Sequence, residues 1–366
     1  MATHPSPAEF TREKHVSYLK MCLELLPHEY ESFDTNRMTF AYFCLSGLDL
    51  LDVLDSALTP ERRRGWIDWI YAQQILPNMD NPADNEHLCG FRGSPFSGSR
   101  FDVNGVRDAQ FPVDAANLAM TYTALCCLLL LKDDLSRVDR PAIINAMRYL
   151  QNEDGSFSQT YQSLESDIRF IYCACAISYI LNDFSGFDTE KAVDYIKKSQ
   201  TYDYGIAQSP DQESHGGSTY CAISALHLLN RIDEGLLSKD KTIFWCLSRQ
   251  ISGFQGRPNK PQDTCYSFWI GGALKLLNAF DLVDFDSNRA FLMTTQSKHG
   301  GFAKLPPELN KYSKWINYPA DPLHTYMGIA ALSLMRDPGF VDLDPALNIS
   351  KRTIDRLINE SVFWKK

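Results

Sequence analysis

The sequence predicts an all-α protein, an α/α barrel (toroid) of about six helical hairpins, on the strength of two observations. A glycine-containing turn followed by an apolar helix occurs five times, with the glycines 65, 50, 48 and 48 residues apart. The helices after the turns are apolar on nearly all sides, whereas the segments between them alternate polar and apolar residues at helical spacing. A repeat of this length is typical of stacked helical units that bury their apolar faces only against their neighbours.

The turns and helices can be placed residue by residue. The five turns centre on Gly90, Gly155, Gly205, Gly253 and Gly301, and the helices after them align on Tyr122, Tyr172, Tyr220, Tyr266 and Tyr326. Four turns follow a glutamine, and the first has a longer insertion after Gln73 and Gln74. Amphipathic segments at 141–150, 189–199 and 286–295 predict outer helices. Residues 35–54 and 60–74 predict a sixth, divergent hairpin, and residues 12–25 a helix that leads into it.

A closed ring is favoured over an open solenoid. The repeats are few, and their helices are too apolar to leave a concave face in water. In a ring, all five turns lead into inner-helix N-termini at one end of the barrel. Helix N-termini carry free N–H groups and a positive dipole end, so this mouth should favour an anion above an apolar cavity.

The composition narrows the class of protein. The chain has 366 residues, 44% of them hydrophobic and 22% charged, with a net charge of −9 and no long charged block. This predicts a globular protein with no nucleic-acid partner. The longest apolar run has 8 residues, against about 20 needed to span a bilayer, and no secretory leader is visible. Ten cysteines, mostly in apolar runs, predict reduced thiols and a cytoplasmic location. We expect a flexible segment at 1–11 and one domain at 12–366.

Three residue types that zinc accepts fall in the first turn of neighbouring inner helices. On the tyrosine alignment, Asp263 and Cys265 lie three and one residues before Tyr266, and His324 lies two residues before Tyr326. Three protein ligands would leave the fourth position open, as in catalytic zinc sites. Taken singly, the three residues could be a helix cap, a core cysteine and a hydrogen-bonded core histidine. Their convergence at one level predicts a zinc site.

Basic residues gather near the same turns. Arg257 and Lys260 lead directly into Asp263, His215 opens the preceding inner helix, and Lys304 follows the last glycine turn. With the Tyr266 hydroxyl they form a donor set suited to a diphosphate, although a solvated basic rim is the alternative. Arg169 should also point inward, towards either a phosphate or its neighbour Asp167.

At these residues the chain resembles the β subunits of protein prenyltransferases. The similarity lies in residues 213–219 (ESHGGST), 256–269 (GRPNKPQDTCYSFW) and 323–326 (LHTY), and extends from about residue 12 to 361. It implies an α/α barrel, zinc held by Asp263, Cys265 and His324, and a diphosphate pocket of His215, Arg257, Lys260 and Tyr266. It also implies a heterodimer with a helical-repeat α subunit that adds a lysine to the pocket.

Within that family, three features resemble the type I geranylgeranyl enzymes. Thr39 stands where farnesyltransferases carry a tryptophan that shortens the lipid cavity, and Lys304 stands where they carry an aspartate associated with magnesium. Residues 43–49 (FCLSGLD), which begin with the lipid-lining Phe43, are also similar. The resemblance therefore implies geranylgeranyl diphosphate as donor and no magnesium requirement. The acceptors would be proteins with a C-terminal Cys-aliphatic-aliphatic-X box, X often Leu, such as Rho-type small GTPases.

Two departures from the family pattern concern the acceptor. Asn117 stands where type I enzymes can carry histidine in the pocket for the terminal peptide residue, so the implied peptide pocket consists of Thr39, Asn117, Ala119, Phe170 and Leu323. An inserted loop around 308–319 could alter the mouth or the subunit contact. Competing interpretations are a farnesyltransferase β subunit, opposed by Thr39 and Lys304, and a terpene cyclase, opposed by the missing Asp-x-Asp-Asp motif. A non-catalytic helical scaffold, in which the three zinc-type residues coincide by accident, is the third.

Overall fold

The computed structural model of the chain describes residues 9–26, 28–95, 101–107, 114–307 and 319–365. The helices of this described part are α1 (Arg12–Glu24), α2 (Arg37–Leu50), α3 (Leu54–Ala57), α4 (Pro60–Tyr71), α5 (Leu118–Leu130), α6 (Arg140–Met147), α7 (Ile168–Leu181), α8 (Thr189–Lys198), α9 (Gly216–Leu228), α10 (Ile232–Gly235), α11 (Lys239–Leu247), α12 (Tyr266–Leu276), α13 (Phe285–Thr294), α14 (Pro322–Leu334) and α15 (Lys351–Glu360). Three antiparallel hairpins pair β1 (Gln74–Ile75) with β2 (Gly90–Phe91), β3 (Phe157–Ser158) with β4 (Ser166–Asp167), and β5 (Leu343–Asp344) with β6 (Ile349–Ser350).

Six apolar helices form a closed inner ring. In order around the ring, α2, α5, α7, α9, α12 and α14 each contact the next, and α14 returns to contact α2. Almost every residue of these helices is buried, because they face the outer layer on one side and the barrel axis on the other. The predicted α/α barrel is therefore confirmed, and the open solenoid is excluded.

The outer layer consists of α1, α4, α6, α8, α11 and α13, one before each inner helix. In α8, for example, Ala192, Val193 and Ile196 are buried while the charged face is in water. The helix predicted to lead into the barrel is a full member of this layer, since α1 packs against both α2 and α14. It closes the outer ring at the seam between the first and last repeats.

The repeated glutamines join each turn to the next outer helix. The Gln250 side chain donates to Asp284 O at 2.8 Å and accepts from Asp284 N at 3.1 Å, at the N-cap of α13. The same two-way pairing joins Gln74 to Arg137 and Asp139, Gln151 to Asp188, and Gln200 to Gly235 and Leu237. At the seam, Gln296 accepts from Thr11 N and donates to Glu9 O. The glutamine recurs because its side chain binds backbone groups at the start of the next outer helix.

The two ends of the barrel differ. Inner-helix N-termini and glycine turns gather at the mouth, whereas the β5–β6 hairpin enters the opposite end, where Val341 N donates to Leu50 O at the end of α2. Among the described residues, no helix combines the length and the apolar character needed to cross a membrane. All ten cysteines are free and buried. The division into a flexible 1–11 and a single domain at 12–366 stays a prediction, although Phe10 already stacks on His15 at 4.6 Å.

Candidate metal and anion site

Three side chains of the zinc-type set meet at the barrel mouth. The ligand atoms of Asp263, Cys265 and His324 all lie within 4.8 Å of one another. Asp263 and Cys265 are 5% and 7% exposed, so the cluster is almost fully shielded from bulk water. The donor set of one carboxylate, one thiol and one imidazole suits zinc, and it leaves a coordination position for a substrate.

The local fold explains how these residues converge. Asp263 caps the last turn before α12, since its Oδ1 accepts from Cys265 N at 3.0 Å. His324 lies in the first turn of the adjacent helix α14, and its Nε2 is 3.2 Å from Asp263 Oδ1. Because α12 and α14 are neighbours with parallel directions in the ring, their first turns present these side chains to the same point.

The tyrosine alignment is wrong by two residues at α12. The caps of the other inner helices, Asn117, Asp167, His215 and Asp321, each lie five residues before the aligned tyrosine. Counting five residues from Asp263 leads to Phe268, whereas Tyr266 begins the helix. The reason is that Tyr266 occupies the mouth position of His324 in its own repeat, so the sequence alignment matched residue type rather than helix position.

The electrostatics of the cluster are those of a cation site. Burial alone would lower the pKa of His324, but hydrogen bonds to Asp263 and Asp321 raise it to about 9. Burial opposes ionisation of Asp263, yet the hydrogen bond from His324 holds its pKa below the ordinary value. Burial, followed by the nearby Asp263 charge, raises the pKa of the Cys265 thiol. Metal binding by these side chains would release the protons of the imidazole and the thiol.

Asp321 is a functional residue that the sequence analysis missed. Its Oδ2 lies 2.6 Å from His324 Nδ1, and its Oδ1 accepts from His324 N at 2.9 Å. A carboxylate on Nδ1 fixes the ring so that Nε2 faces the cluster, which is the usual arrangement behind a metal-binding histidine. The signal in the sequence was an aspartate before Pro322, a helix start with the histidine at its third position.

A second cluster lies beside the first. His215 Nδ1 accepts from Gly217 N at 3.0 Å, so its Nε2 carries the proton that faces the Tyr266 hydroxyl at 2.9 Å. Burial, helped by the charge of Arg257, lowers the pKa of His215. Gly256 lets the Arg257 loop approach, since a Cβ there would lie 2.1 Å from the Tyr266 ring.

The cationic side chains around this pair differ in their partners. Arg257 Nη1 lies 2.8 Å from Glu213, and Lys260 is exposed. Lys304 Nζ lies 3.7 Å from Asp263 Oδ2, directly beside the metal-type cluster. Arg169 pairs with the buried Asp167 at 2.7 Å, the protein partner that the sequence analysis named as the alternative to a phosphate. It also pairs with Glu165 at 2.5 Å.

The residues predicted for lipid and peptide lie in the first two turns of the inner helices α2, α5, α7 and α14 or cap them. Thr39 Oγ1 lies 3.4 Å from Met120 Sδ, and Phe43 stacks on Tyr326. Asn117 uses its side chain to cap α5 and to contact Gln159 at 3.2 Å. Ala119 and Leu323 are partly exposed, and Phe170 is 6% exposed. The predicted inserted loop around 308–319 lies, apart from residue 319, outside the described residues.

Comparison with known proteins places these features in context. A family model, the prenyltransferase alpha-alpha toroid domain, matches residues 10–349. The geranylgeranyl transferase type-1 subunit beta of Dictyostelium discoideum is 40% identical over 346 residues, 93% of this chain and 95% of that protein. Its Arabidopsis thaliana counterpart is 40% identical over 353 residues, 93% and 89% of the two chains.

A solved structure is similar over nearly the whole chain. The Candida albicans protein geranylgeranyltransferase-I complexed with GGPP superposes with a TM-score of 0.81 at 26% identity, covering 98% of this chain and 100% of that one. The similarity therefore includes all six inner helices and the mouth that they build.

Proposed function

The chain belongs to the prenyltransferase alpha-alpha toroid family, and we propose that it is the catalytic β subunit of a type 1 protein geranylgeranyltransferase. It transfers a geranylgeranyl group from geranylgeranyl diphosphate to the cysteine of a C-terminal Cys-aliphatic-aliphatic-X box, X often Leu. The observation that carries the proposal is the meeting of Asp263, Cys265 and His324 at the mouth of an apolar barrel.

The metal in this proposal is zinc, held by Asp263, Cys265 and His324. Held by these residues, zinc would lower the pKa of the acceptor thiol and so supply the thiolate nucleophile. Asp321 orients the His324 ring through Nδ1, and burial of Cys265 excludes competing water from the cluster.

The anion pocket handles the leaving group. Negative charge develops on the diphosphate oxygens as the bond to C1 of the lipid breaks, and hydrogen-bond donors fixed in advance stabilise that charge. We assign this role to the Tyr266–His215 pair with Arg257 and Lys260. Lys304, beside Asp263, supplies a fixed ammonium where a magnesium ion would otherwise be needed. Arg169, held by Asp167 and Glu165, is assigned to the same pocket because its charge acts on His215.

We also propose the partners and location. The relatives are called β subunits, which supports a heterodimer with an α subunit. Small GTPases of the Rho type are the expected acceptors. Ten free thiols support a cytoplasmic location, where thiols stay reduced.

The test is co-expression with a prenyltransferase α subunit, followed by metal analysis and transfer assays. We expect about one zinc per heterodimer and preference for geranylgeranyl over farnesyl diphosphate, on peptides ending in Leu rather than Ser. Omission of magnesium from the assay buffer should leave the rate unchanged. Preference for farnesyl diphosphate and Ser would indicate a farnesyltransferase, and zinc-free protein without transfer would indicate a scaffold.

A further inference from the structure

Two cysteine thiols meet where the first outer helix packs on the first inner helix. Cys22 lies in the last turns of α1, and Cys44 lies in the middle of α2. The two side chains share a hydrogen bond, and a second hydrogen bond links Cys22 to Tyr18. The Tyr18 hydroxyl also donates to Ala320 O at 3.0 Å, just before α14. The thiol pair therefore lies at the seam between the first and last repeats.

The packing of α1 on α2 places the two thiols face to face. Gly47 of α2 lies against Leu19 of α1, since a Cβ at Gly47 would lie 2.8 Å from Leu19 Cδ1. The contact moves from Leu19 with Gly47 to Cys22 with Cys44, so the two helices run in opposite directions. A disulfide requires Cα atoms within about 7 Å of each other. A glycine contact one turn away favours such a close approach of the two backbones.

Cys22 is within reach of small molecules. It is 6% exposed and lines a cavity of about 770 Å³ between α1, α2 and α4. Much of the remaining lining is apolar, including Leu26, Trp66 and Trp69. Cys44, in contrast, is 0% exposed. A small uncharged oxidant such as hydrogen peroxide would therefore meet Cys22 first.

Cys22 also differs from the other cysteines in its acid–base chemistry. All ten cysteines lie in the described part of the chain, and burial raises the pKa of eight of them. The hydrogen bond with Cys44 is the largest cause that lowers the pKa of Cys22, helped by Tyr18 and opposed by burial. The same hydrogen bond raises the pKa of Cys44. Because the thiolate is the nucleophile, Cys22 is suited to react first and Cys44 to resolve the product.

We propose that Cys22 and Cys44 are an oxidation site that forms a disulfide across the seam. The Cys22 thiolate attacks one oxygen of hydrogen peroxide, the O–O bond breaks and hydroxide leaves, which gives a sulfenic acid on Cys22. The Cys44 sulfur then attacks the Cys22 sulfur, and the Cys44 proton leaves with the sulfenic hydroxyl as water. Counted from two thiols, the pair loses two electrons and the peroxide is reduced to two molecules of water.

The disulfide would fasten α1 to the inner ring. This helix packs against both α2 and α14, so its position decides how firmly the outer ring is closed. A cross-link between residues 22 and 44 restricts the unfolded chain and thereby stabilises the folded one. Disulfides in cytoplasmic proteins are usually transient and often sense the redox state. The bond needs neither lipid nor acceptor protein, so it is independent of the proposed function.

The test treats the full chain, co-expressed with an α subunit, with hydrogen peroxide and maps its disulfides by mass spectrometry. Cleavage after lysine and arginine places Cys22 in peptide 21–37 and Cys44 in peptide 38–62, with no other cysteine in either. We expect the two peptides to be joined in about half of the molecules or more. The melting temperature should rise by about 4 °C, and dithiothreitol should reverse both changes.

Variants separate the two roles. In Cys44→Ala the resolving thiol is missing, so we expect a sulfenic acid on peptide 21–37, trapped by dimedone, and no rise in melting temperature. Cys175→Ala is the matched control, because it removes another thiol that is 0% exposed and should keep both the cross-link and the rise. If Cys44→Ala does not fold, Cys22→Ala replaces it, and neither the cross-link nor the dimedone adduct on peptide 21–37 should form.

The outcomes distinguish this oxidation site from the proposed function. Peptides 21–37 and 38–62 that stay unlinked at peroxide concentrations that oxidise other cysteines overturn the oxidation site. An equal rise in melting temperature for Cys44→Ala overturns it too. Absence of geranylgeranyl transfer would instead overturn the proposed function alone, because the disulfide is detected without any transfer.

Discussion

At the scale of single residues, His324 is held between two carboxylates with different tasks. Asp263 faces Nε2 at 3.2 Å, while Asp321 faces Nδ1 at 2.6 Å and caps α14 through its other oxygen. One carboxylate belongs to the proposed ligand set and the other orients the ring. Separating them experimentally requires a change that keeps the cap.

Asp321→Asn is such a change. The amide oxygen can still cap α14, but the amide NH₂ would face Nδ1 and favour the tautomer with a proton on Nε2, which cannot bind a metal. We expect zinc affinity to fall by about 10- to 100-fold with little change in melting temperature. Competition with a chromogenic chelator measures this. Asp284→Asn, at the equivalent cap of α13, is the control, and equal affinities of the two variants would contradict the role of Asp321.

Thr39 tests the lipid wall at the same scale. Its side chain lies against Met120 near the mouth and is only partly buried, so a larger residue would project into the lumen. For Thr39→Trp we expect the kcat/KM ratio of farnesyl over geranylgeranyl diphosphate to rise about tenfold, because the indole takes the space of the last isoprene unit. Thr39→Val, of nearly the same size, should leave the ratio as in the wild type. A tryptophan variant with wild-type preference would show that this position does not measure chain length.

At the scale of elements, each repeat is connected to the next by hydrogen bonds from its glutamine, which we call the glutamine joint. Each glutamine satisfies a backbone donor and a backbone acceptor at the start of the next outer helix, as Gln250 does for Asp284. The helix itself leaves the N–H of Asp284 without a partner, whereas the Asp284 carbonyl also accepts from Asn288 N within α13. The glycine turns pack equally closely, for a Cβ at Gly253 would lie 2.1 Å from Phe291 of α13.

Gln250→Ala tests the joint. It removes both hydrogen bonds to Asp284 and a third to Ser252 O at 3.2 Å, and it leaves Asp284 N to water, so we expect the free energy of unfolding to fall by about 1–2 kcal/mol. Urea denaturation followed by circular dichroism measures the change. Asn359→Ala, which removes one exposed hydrogen bond to Asp355 O, should cost much less. A Gln250 variant as stable as that control would mean that the joints do not carry stability.

At the scale of the whole molecule, α1 closes the outer ring between the first and last repeats, and His15 lies at this seam. Its Nδ1 accepts from Gly301 N at 3.1 Å, so its Nε2 carries the proton that faces Gln296 Oε1 at 3.0 Å. Burial lowers the pKa of His15 from 6.5 to about 4, against the opposing hydrogen bond to Gln296. The folded protein therefore contains the His15 imidazole in its neutral form.

The lowered pKa of His15 makes the folded protein less stable as the pH falls. Because the folded pKa lies below the unfolded one, the full contribution is present above about pH 6.5 and is lost as the pH falls towards about 4. Between about pH 7 and pH 5 the contribution of His15 to the free energy of unfolding should fall by about 2 kcal/mol. His15→Gln should lower stability at neutral pH but flatten this dependence, whereas His28→Gln, at an exposed histidine, should not. Equal slopes for wild type and His15→Gln would contradict a titrating seam.

The sequence by itself determined the repeat and the chemistry. Apolar helices after glycine turns can be buried only in a layered ring, which is why the barrel, its outer helices and the gathering of Asp263, Cys265 and His324 could be predicted. These follow from residue type and spacing, which local physics converts into helix direction and position. The roles of the individual pocket residues stay predictions.

Only the tertiary structure decided what depends on contacts between distant segments. The place of α1 in the outer ring and the entry of the β5–β6 hairpin into the barrel both join residues far apart in the chain. The task of Asp321 depends on where α14 brings His324 to face Asp263 of the neighbouring repeat. A single sequence does not record which distant carbonyl a tyrosine hydroxyl meets, because hydrogen-bond partners are chosen by packing in three dimensions.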